Sequence, residues 1–431
     1  MIKLYFDFRD VFRSPRIALS IQRIWIQFVG LAVGYVGYLI FTYLAFLSAG
    51  KGLADMWEKW GLLPCLWASA GSSPWYSWII YALGLIILLV AWLISSTAVS
   101  RASYKLLKGD NFYTWREAYT FAFKKAPSVI MAPVGIALIA LSFVIGAWVV
   151  GLLGRIPYVG ELGLSLFTFV WLAAALFLFF LLIVTGVAFV IAPAVLATTD
   201  EDAFETIFQS FSVTWSQPWR FVVYQSLSGV LTLAAFGILA WFVKQAFIIM
   251  NGLFGFSMGE KYINLASHGQ YLVQKWVFLA QDWIQAIYGS ITSHIFFSHE
   301  FYALELPTVL LISAYIFAIS LVIAGAWVVS YGLATFNVGN TLIYVIIRKK
   351  KDDENLLERK DREEEAEEEE KKTEEATKPS ESSETTTTEE EKKEGEGDKD
   401  EQSSGEQQKQ EDEKKDQTDS SEGESKTEEN K

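Results

Sequence analysis

The 431-residue chain is 52% hydrophobic and 15% aromatic, with a formal net charge of −13 and one cysteine. The lone Cys65 excludes an intramolecular disulfide framework, and the acidic balance gives nucleic acid no electrostatic reason to bind. That balance is uneven along the chain: 22 Lys and Arg accompany 15 Asp and Glu through residue 351, whereas residues 352–431 carry 14 against 34.

Residues 1–351 predict an all-α polytopic transmembrane bundle of six spans, because about 20 apolar helical residues suffice to cross a hydrocarbon core. In chain order the apolar runs lie at roughly 24–49, 76–98, 129–153, 164–197, 220–243 and 308–334. The fourth run is too long for one straight span, so Pro193 near its end is expected to break or kink the helix. Between the first two runs, Trp57, Trp60, Trp67, Trp75 and Trp78 predict a segment lying at headgroup level. Between the last two, the stretch 271–296 sets Gln270, Gln274, Gln281 and Gln285 against Trp276, Leu279, Trp283 and Ile287. It reads as a membrane-parallel helix or a cap over the bundle, with a half-inserted helix disfavoured by Asp282.

Basic residues retained on the cytoplasmic side set the orientation. Lys3, Arg9, Arg13, Arg16 and Arg23 precede the first run, and Arg101, Lys105, Lys108, Arg116, Lys124 and Lys125 fall between the second and third. Arg220 opens the fifth run, and Arg348, Lys349, Lys350 and Lys351 follow the sixth. Opposite them stand only Lys51, Lys59, Arg155, Lys244, Lys261 and Lys275. Both termini are therefore expected to be cytoplasmic in a cell (plasma or inner) membrane. The first run is expected to stay as an anchor, being too long for a signal-peptide core. Residues 352–431 contain no aromatic residue, Ile or Val and read as a disordered acidic cytoplasmic tail. The opening of that tail, DENLLERKDREEEAEEEEKK, is rich in helix formers and is expected to prolong the last helix by a few turns.

A pattern recurs at the cytoplasmic ends. DNFYTWREAYTFAFKKAP (110–127) aligns with DAFETIFQSFSVTWSQPW (202–219), pairing Asp110 with Asp202, Phe112 with Phe204 and Tyr119 with Phe211. In the second copy Phe204, Ile207, Phe208, Phe211 and Trp215 fall at helical spacing, with Glu201, Glu205, Gln209, Ser212 and Ser216 on other faces. Trp115 and Tyr119 occupy the corresponding stripe of the first. Thr114 with Glu117, and Thr199 with Asp202, have capping-box spacing, and SPRIALSIQR (14–23) is a degenerate third copy with a Ser-Pro start. The reading is a collar of interfacial helices, each followed by a transmembrane hairpin, in three units at 10–98, 110–198 and 202–334. The stripe residues are the candidate interfacial or partner contacts, and Arg348, Lys349, Lys350 and Lys351 the candidate anionic-lipid contacts.

The apolar helix, the Ala-Pro step and DAFETIFQSFSVTWSQPWRF together resemble the multi-pass membrane domain of bacterial glycerophosphoryl diester phosphodiesterases and its stand-alone relatives. The matching positions are Pro193, Asp202, Ala203, Ser210 and Trp219, and GNTLIYVIIRKKKDDENLLE (339–358) extends the resemblance over about 1–358. Gln209 stands where that family usually has an arginine. The resemblance implies a six-helix membrane domain without the family's catalytic barrel.

Chemistry is sparse. His268, His294 and His299 are the only histidines, and the last two, even with Glu300, have a spacing that does not put two imidazoles on one helical face, so no metal or cofactor is expected. No charged residue lies centrally in a span, which disfavours an ion-coupled carrier. Gly30-x-x-x-Gly34, Gly325 and Gly332 leave notches for close helix packing, within the chain or in a homo-oligomer. The expected function is a non-enzymatic scaffold, assembly or lipid-organising component whose partners are membrane lipid and proteins held by the acidic tail. The alternatives are a carrier for lipid or a small neutral solute and, third, an intramembrane lipid enzyme.

Overall fold

The structure, a computed structural model, describes residues 3–67, 73–295 and 301–360, with backbone alone at 279–282 and 294–295. The short helices α1 (Phe8–Val11) and α2 (Ser14–Ala18) lead into α3 (Ile21–Ser48), and α4 (Leu53–Trp60) follows. Next come α5 (Trp75–Lys108), α6 (Trp115–Lys124), α7 (Ala126–Leu153), α8 (Val159–Leu166) and α9 (Thr168–Thr199). The chain continues through α10 (Ala203–Ser216), α11 (Pro218–Met258), α12 (Glu260–Trp276), α13 (Phe278–Tyr288), α14 (Thr292–Ile295) and α15 (Thr308–Asp352). Among the described residues every regular element is helical, and six helices, α3, α5, α7, α9, α11 and α15, are long and apolar enough to cross a membrane.

These six pack as three antiparallel hairpins, α3 with α5, α7 with α9 and α11 with α15. The second helix of each hairpin outruns its apolar segment. The 45 residues of α15 span ~68 Å at about 1.5 Å per residue, more than twice the ~30 Å hydrocarbon core. Their excess forms a hub: α5, α9 and α15 pack on one another, and 95–105, 191–200 and 337–347 are buried at every position. Burial on all sides for about three turns each means that protein, not lipid, surrounds these segments. That is why Ser95, Ser96, Thr97, Ser100 and Arg101 sit where a lipid-facing helix would carry Leu or Val. Each hub helix ends at a left-handed residue: Gly109 (φ 106°), Asp200 (φ 55°) and Asp353 (φ 55°). Gly adopts that conformation without a Cβ penalty and Asp tolerates it.

Several expectations are corrected here. Pro193 lies inside α9 without breaking it, and the chain reverses at Asp200 instead. The second span runs on through Arg101 and Lys105 to Lys108, and the fifth and sixth spans run on to Met258 and Asp352. The segment 271–296 is not one helix, because α12 and α13 are separated at Val277. The last helix does not continue beyond residue 352. Residues 353–359 turn back under the hub and bury Leu356 and Leu357, so the packed domain reaches past the 351/352 boundary expected from composition.

At the opposite end α12 bridges two hairpins. Tyr262 meets Phe317, and Trp276 meets Tyr315, 6.2 Å between ring centroids, so α12 crosses α15 rather than running along it. Its end reaches the first hairpin's loop, where the Leu62 amide donates to the Trp276 carbonyl at 2.9 Å. Lys275 lies 3.6 Å from Glu58. Tyr35, Tyr38 and Tyr43 donate their hydroxyls to the carbonyls of Leu62, Pro64 and Gly61, pinning that loop. The second hairpin has no such tie: no residue from 141 to 180 is buried.

Candidate functional site

The hub is cross-linked by buried polar side chains, while Ser96 Oγ, Ser100 Oγ and Asn340 Oδ1 are buried without a hydrogen-bond partner among the described residues. Gln27 of α3 accepts from Asn337 Nδ2 at 2.8 Å and donates to Ser95 Oγ at 3.3 Å, so one carboxamide ties α3, α5 and α15 together. Asn340, one turn on, donates to the Val190 carbonyl of α9 at 3.3 Å. Arg101 is fully buried; its Nη1 donates to the Ala197 carbonyl at 2.9 Å, and its guanidinium stands 4.2 Å from the Phe121 ring centroid. A cation over an aromatic face in a dry site is stabilised by the ring quadrupole. The carbonyl it reaches lies in the last turn of α9, where the helix dipole favours positive charge.

The short helices α2, α6 and α10 surround the hub. In α6 the expected capping box is present, Thr114 Oγ1 accepting from the Glu117 amide and Glu117 Oε2 from the Thr114 amide. The box expected at Thr199 and Asp202 is absent: Thr199 donates to the Val195 carbonyl, and Asp202, although it precedes α10, caps with no side-chain hydrogen bond. The left-handed turn at Asp200 displaces Thr199 into the end of α9 and separates the two partners. Gln22 donates to the Tyr113 carbonyl and Tyr119 to the Ile26 carbonyl at 2.6 Å, joining α6 to α3. Tyr331 donates to the Pro15 carbonyl at 3.1 Å, joining α15 to α2.

Lys125, between α6 and α7, and Asp200, between α9 and α10, join these two connections. Both are buried, and Lys125 Nζ lies 2.8 Å from Asp200 Oδ1, 2.9 Å from the Asp200 carbonyl and 3.2 Å from that of Glu201. Three acceptors match the three donors of an ammonium, the condition under which a buried pair is tolerated.

The stripe residues divide between two environments. Ile207 and Phe211 pack on the α7–α9 hairpin, around Ile136, Val184 and Ala188, and Trp215 meets Phe180 edge-on at 5.7 Å. Phe204, Phe208 and Trp215 are 80%, 56% and 79% exposed, while Thr206, Gln209 and Ser210 are buried. Thus α10 turns polar atoms inward and aromatic rings outward, the arrangement for an apolar surrounding. A cleft of about 220 Å³ opens between α9 and α10, lined by Phe180, Phe208, Phe211, Ser212 and Trp215. Trp115 is exposed and Tyr119 half-buried.

The four-residue basic run is engaged within the chain. Arg348 bridges Asp352 at 3.0 Å and Glu354 at 2.9 Å, Lys349 reaches Asp353 at 2.8 Å, Lys350 reaches Asp7 at 2.5 Å, and Lys351 lies 3.5 Å from Asp352. Contact with anionic lipid at these residues has to displace carboxylates already in place. The hydrogen bonds and charges of Lys350 and Lys349 hold the Asp7 and Asp353 carboxyls below the ordinary range. Beyond the run, Tyr104 donates to the Leu356 carbonyl and Lys108 to that of Arg359, both at 2.7 Å, and Arg359 pairs with Glu201 at 2.7 Å. This strap was missed from sequence; the one signal was the Leu356-Leu357 pair, the only adjacent leucines in an otherwise acidic stretch.

His268 is buried and its Nδ1 accepts from the Leu304 amide at 3.1 Å. His299 and Glu300 lie outside the described residues, as do the side chains of His294 and Asp282. Among the described residues no three His, Cys, Asp or Glu side chains converge. Of the glycine notches, Gly30 fits against Ser95 and Gly34 against Ala91 of α5, and Gly332 faces Phe236 of α11, whereas a Cβ on Gly325 would meet nothing within 4 Å.

Fold and site define an all-α, multi-pass membrane protein organised around a buried polar hub. Comparisons with protein-family models, curated proteins and solved structures find no match to this chain.

Proposed function

We propose that the chain is a non-enzymatic membrane scaffold, an assembly or lipid-organising component. It is embedded in a cell (plasma or inner) membrane with both termini on the cytoplasmic side. The observation that carries this reading is the hub, three helices buried on every face for about three turns and cross-linked by Gln27, Asn337 and Arg101. A carrier of alternating access needs its repeats to part around a midplane site. Here the inner ends of the hairpins are joined by a continuous packed core. The outward rings of α10 and the unburied outer half of the α7–α9 hairpin offer apolar surface for lipid or for partner helices. The acidic segment after residue 360 supplies a complementary surface for basic proteins. The match at Pro193, Asp202, Ala203, Ser210 and Trp219 supports kinship with the phosphodiesterase-associated membrane domain, whose membrane portion is separate from its chemistry.

The test is to purify the full chain in lipid nanodiscs and identify by mass spectrometry what remains bound, alongside flux assays in proteoliposomes. Protein or lipid retained at fixed stoichiometry, with no solute flux above protein-free vesicles, supports the scaffold. Saturable flux of a neutral solute or lipid overturns it in favour of the carrier.

A further inference from the structure

Exposed cations stand beside exposed aromatic or aliphatic side chains at or near the opening of each of the three units. In the first unit Arg9 is exposed next to Phe8 and Phe12, and Arg16 lies near Leu19 and Ile21. In the second, Arg116 stands 5.4 Å over the Trp115 ring, and Lys124 is exposed beside Phe123. In the third, Arg220 is exposed beside Trp219 and donates to Gln217 Oε1 at 2.8 Å. None of these five cations is in an ion pair among the described residues, whereas all four of Arg348, Lys349, Lys350 and Lys351 are.

All three unit starts lie at the hub end of the bundle. Gln22 reaches Tyr113 across the first junction, Lys125 reaches Asp200 across the second, and Lys350 reaches Asp7 to close the circuit. The cations thus occur in all three segments that surround the hub. A folded protein partner would meet them on one side; a bilayer leaflet meets them on all sides. Aromatic rings favour the headgroup level, and guanidinium groups there match phosphate oxygens in paired hydrogen bonds.

We propose that Arg9, Arg16, Arg116, Lys124 and Arg220 form a belt that binds the phosphates of anionic phospholipids in the leaflet on the hub side, the α10 cleft seating an acyl chain beside the third position. This rests on the lipid-organising reading and names the lipid class. It also moves the anionic-lipid contact away from residues 348–351, whose charges are paired with carboxylates of the same chain.

The test compares binding of phosphatidylglycerol and phosphatidylcholine to the full chain by native mass spectrometry and by nanodisc lipid enrichment. The intact chain is expected to favour phosphatidylglycerol. The variant R9Q/R16Q/R116Q/K124Q/R220Q is expected to lose that preference by roughly tenfold or more, each single substitution contributing a graded share. The variant R348Q/K349Q/K350Q/K351Q should stay within about twofold of the intact chain. Lysine at the four arginines should keep most of the preference, which separates lost charge from lost fold. No preference in the intact chain, its persistence in the five-site variant, or its loss in the 348–351 variant overturns the proposal. Headgroup preference and solute flux are separate readouts: a transported solute would sink the scaffold reading and leave these lipid affinities unchanged.

Discussion

Lys125 and Asp200 form a buried contact that ties the α6–α7 connection to the α9–α10 turn. Removing one partner leaves the other charged and unsolvated, which typically costs ~3–5 kcal/mol. Lys125→Met is therefore expected to lower the unfolding midpoint in detergent sharply, and adding Asp200→Asn should recover part of the loss; equal midpoints for the intact chain and Lys125→Met would refute this account of the pair. The Lys349–Asp353 and Lys350–Asp7 contacts are exposed, so their effect is small and pH-dependent. Both carboxyls titrate below the unfolded-state value of about 3.8 in the folded protein. Their contribution is thus present above that value and is lost as pH falls through the lowered folded values. The midpoint gap between the intact chain and a Lys349→Gln/Lys350→Gln variant should be open at pH 6 and close as the pH falls below 3.8 through the lowered folded values. A gap that persists there would mean that the lysines act by packing and not by charge.

At the scale of elements, helix contacts depend on glycine where backbones approach and on leucine where the strap closes. A Cβ on Gly339 would overlap Ser228 Oγ, whereas one on Gly186 meets nothing within 4 Å. Gly339→Val should destabilise by ~1–3 kcal/mol through overpacking and Gly186→Val hardly at all; thermal midpoints of the two variants decide it. Ending the chain at Asp352 removes the buried Leu356 and Leu357, each worth ~1.5–3 kcal/mol when fully buried, while ending it at Lys360 keeps them. Amide exchange across 95–105 should speed up in the shorter chain only. The strap and the hub also mark where sequence reading falls short. Hydropathy responds to residues that face lipid, and it recovered the six apolar runs for that reason. It ended the second run at residue 98 because nothing local reveals that α9 and Phe121 cover Arg101. The capping box at Thr114 was legible because both partners lie within one turn. The one at Thr199 failed because the left-handed Asp200, which also pairs with Lys125, intervenes.

For the whole molecule, the three hairpins are joined at one end by a protein-enclosed polar hub and at the other by α12, which ties the first and third and leaves the second free. That asymmetry assigns rigidity to the hub end and lipid-accessible surface to the α7–α9 hairpin, as suits a scaffold. The collar stripe was visible in sequence; that Phe204, Phe208 and Trp215 face outward while Thr206, Gln209 and Ser210 face inward was not, because the helical pattern alone does not say which side meets protein. The central claim is that the hub is closed. Its most direct test replaces Cys65 with Ser and places single cysteines at Ser100, Ser228, Thr341 or Lys124. A membrane-impermeant maleimide is then applied from each side of oriented proteoliposomes. The account predicts that Lys124→Cys is labelled from one side only and that Ser100→Cys, Ser228→Cys and Thr341→Cys are protected from both. Labelling at any of those three, from either side, would show that the hub opens and would contradict the scaffold.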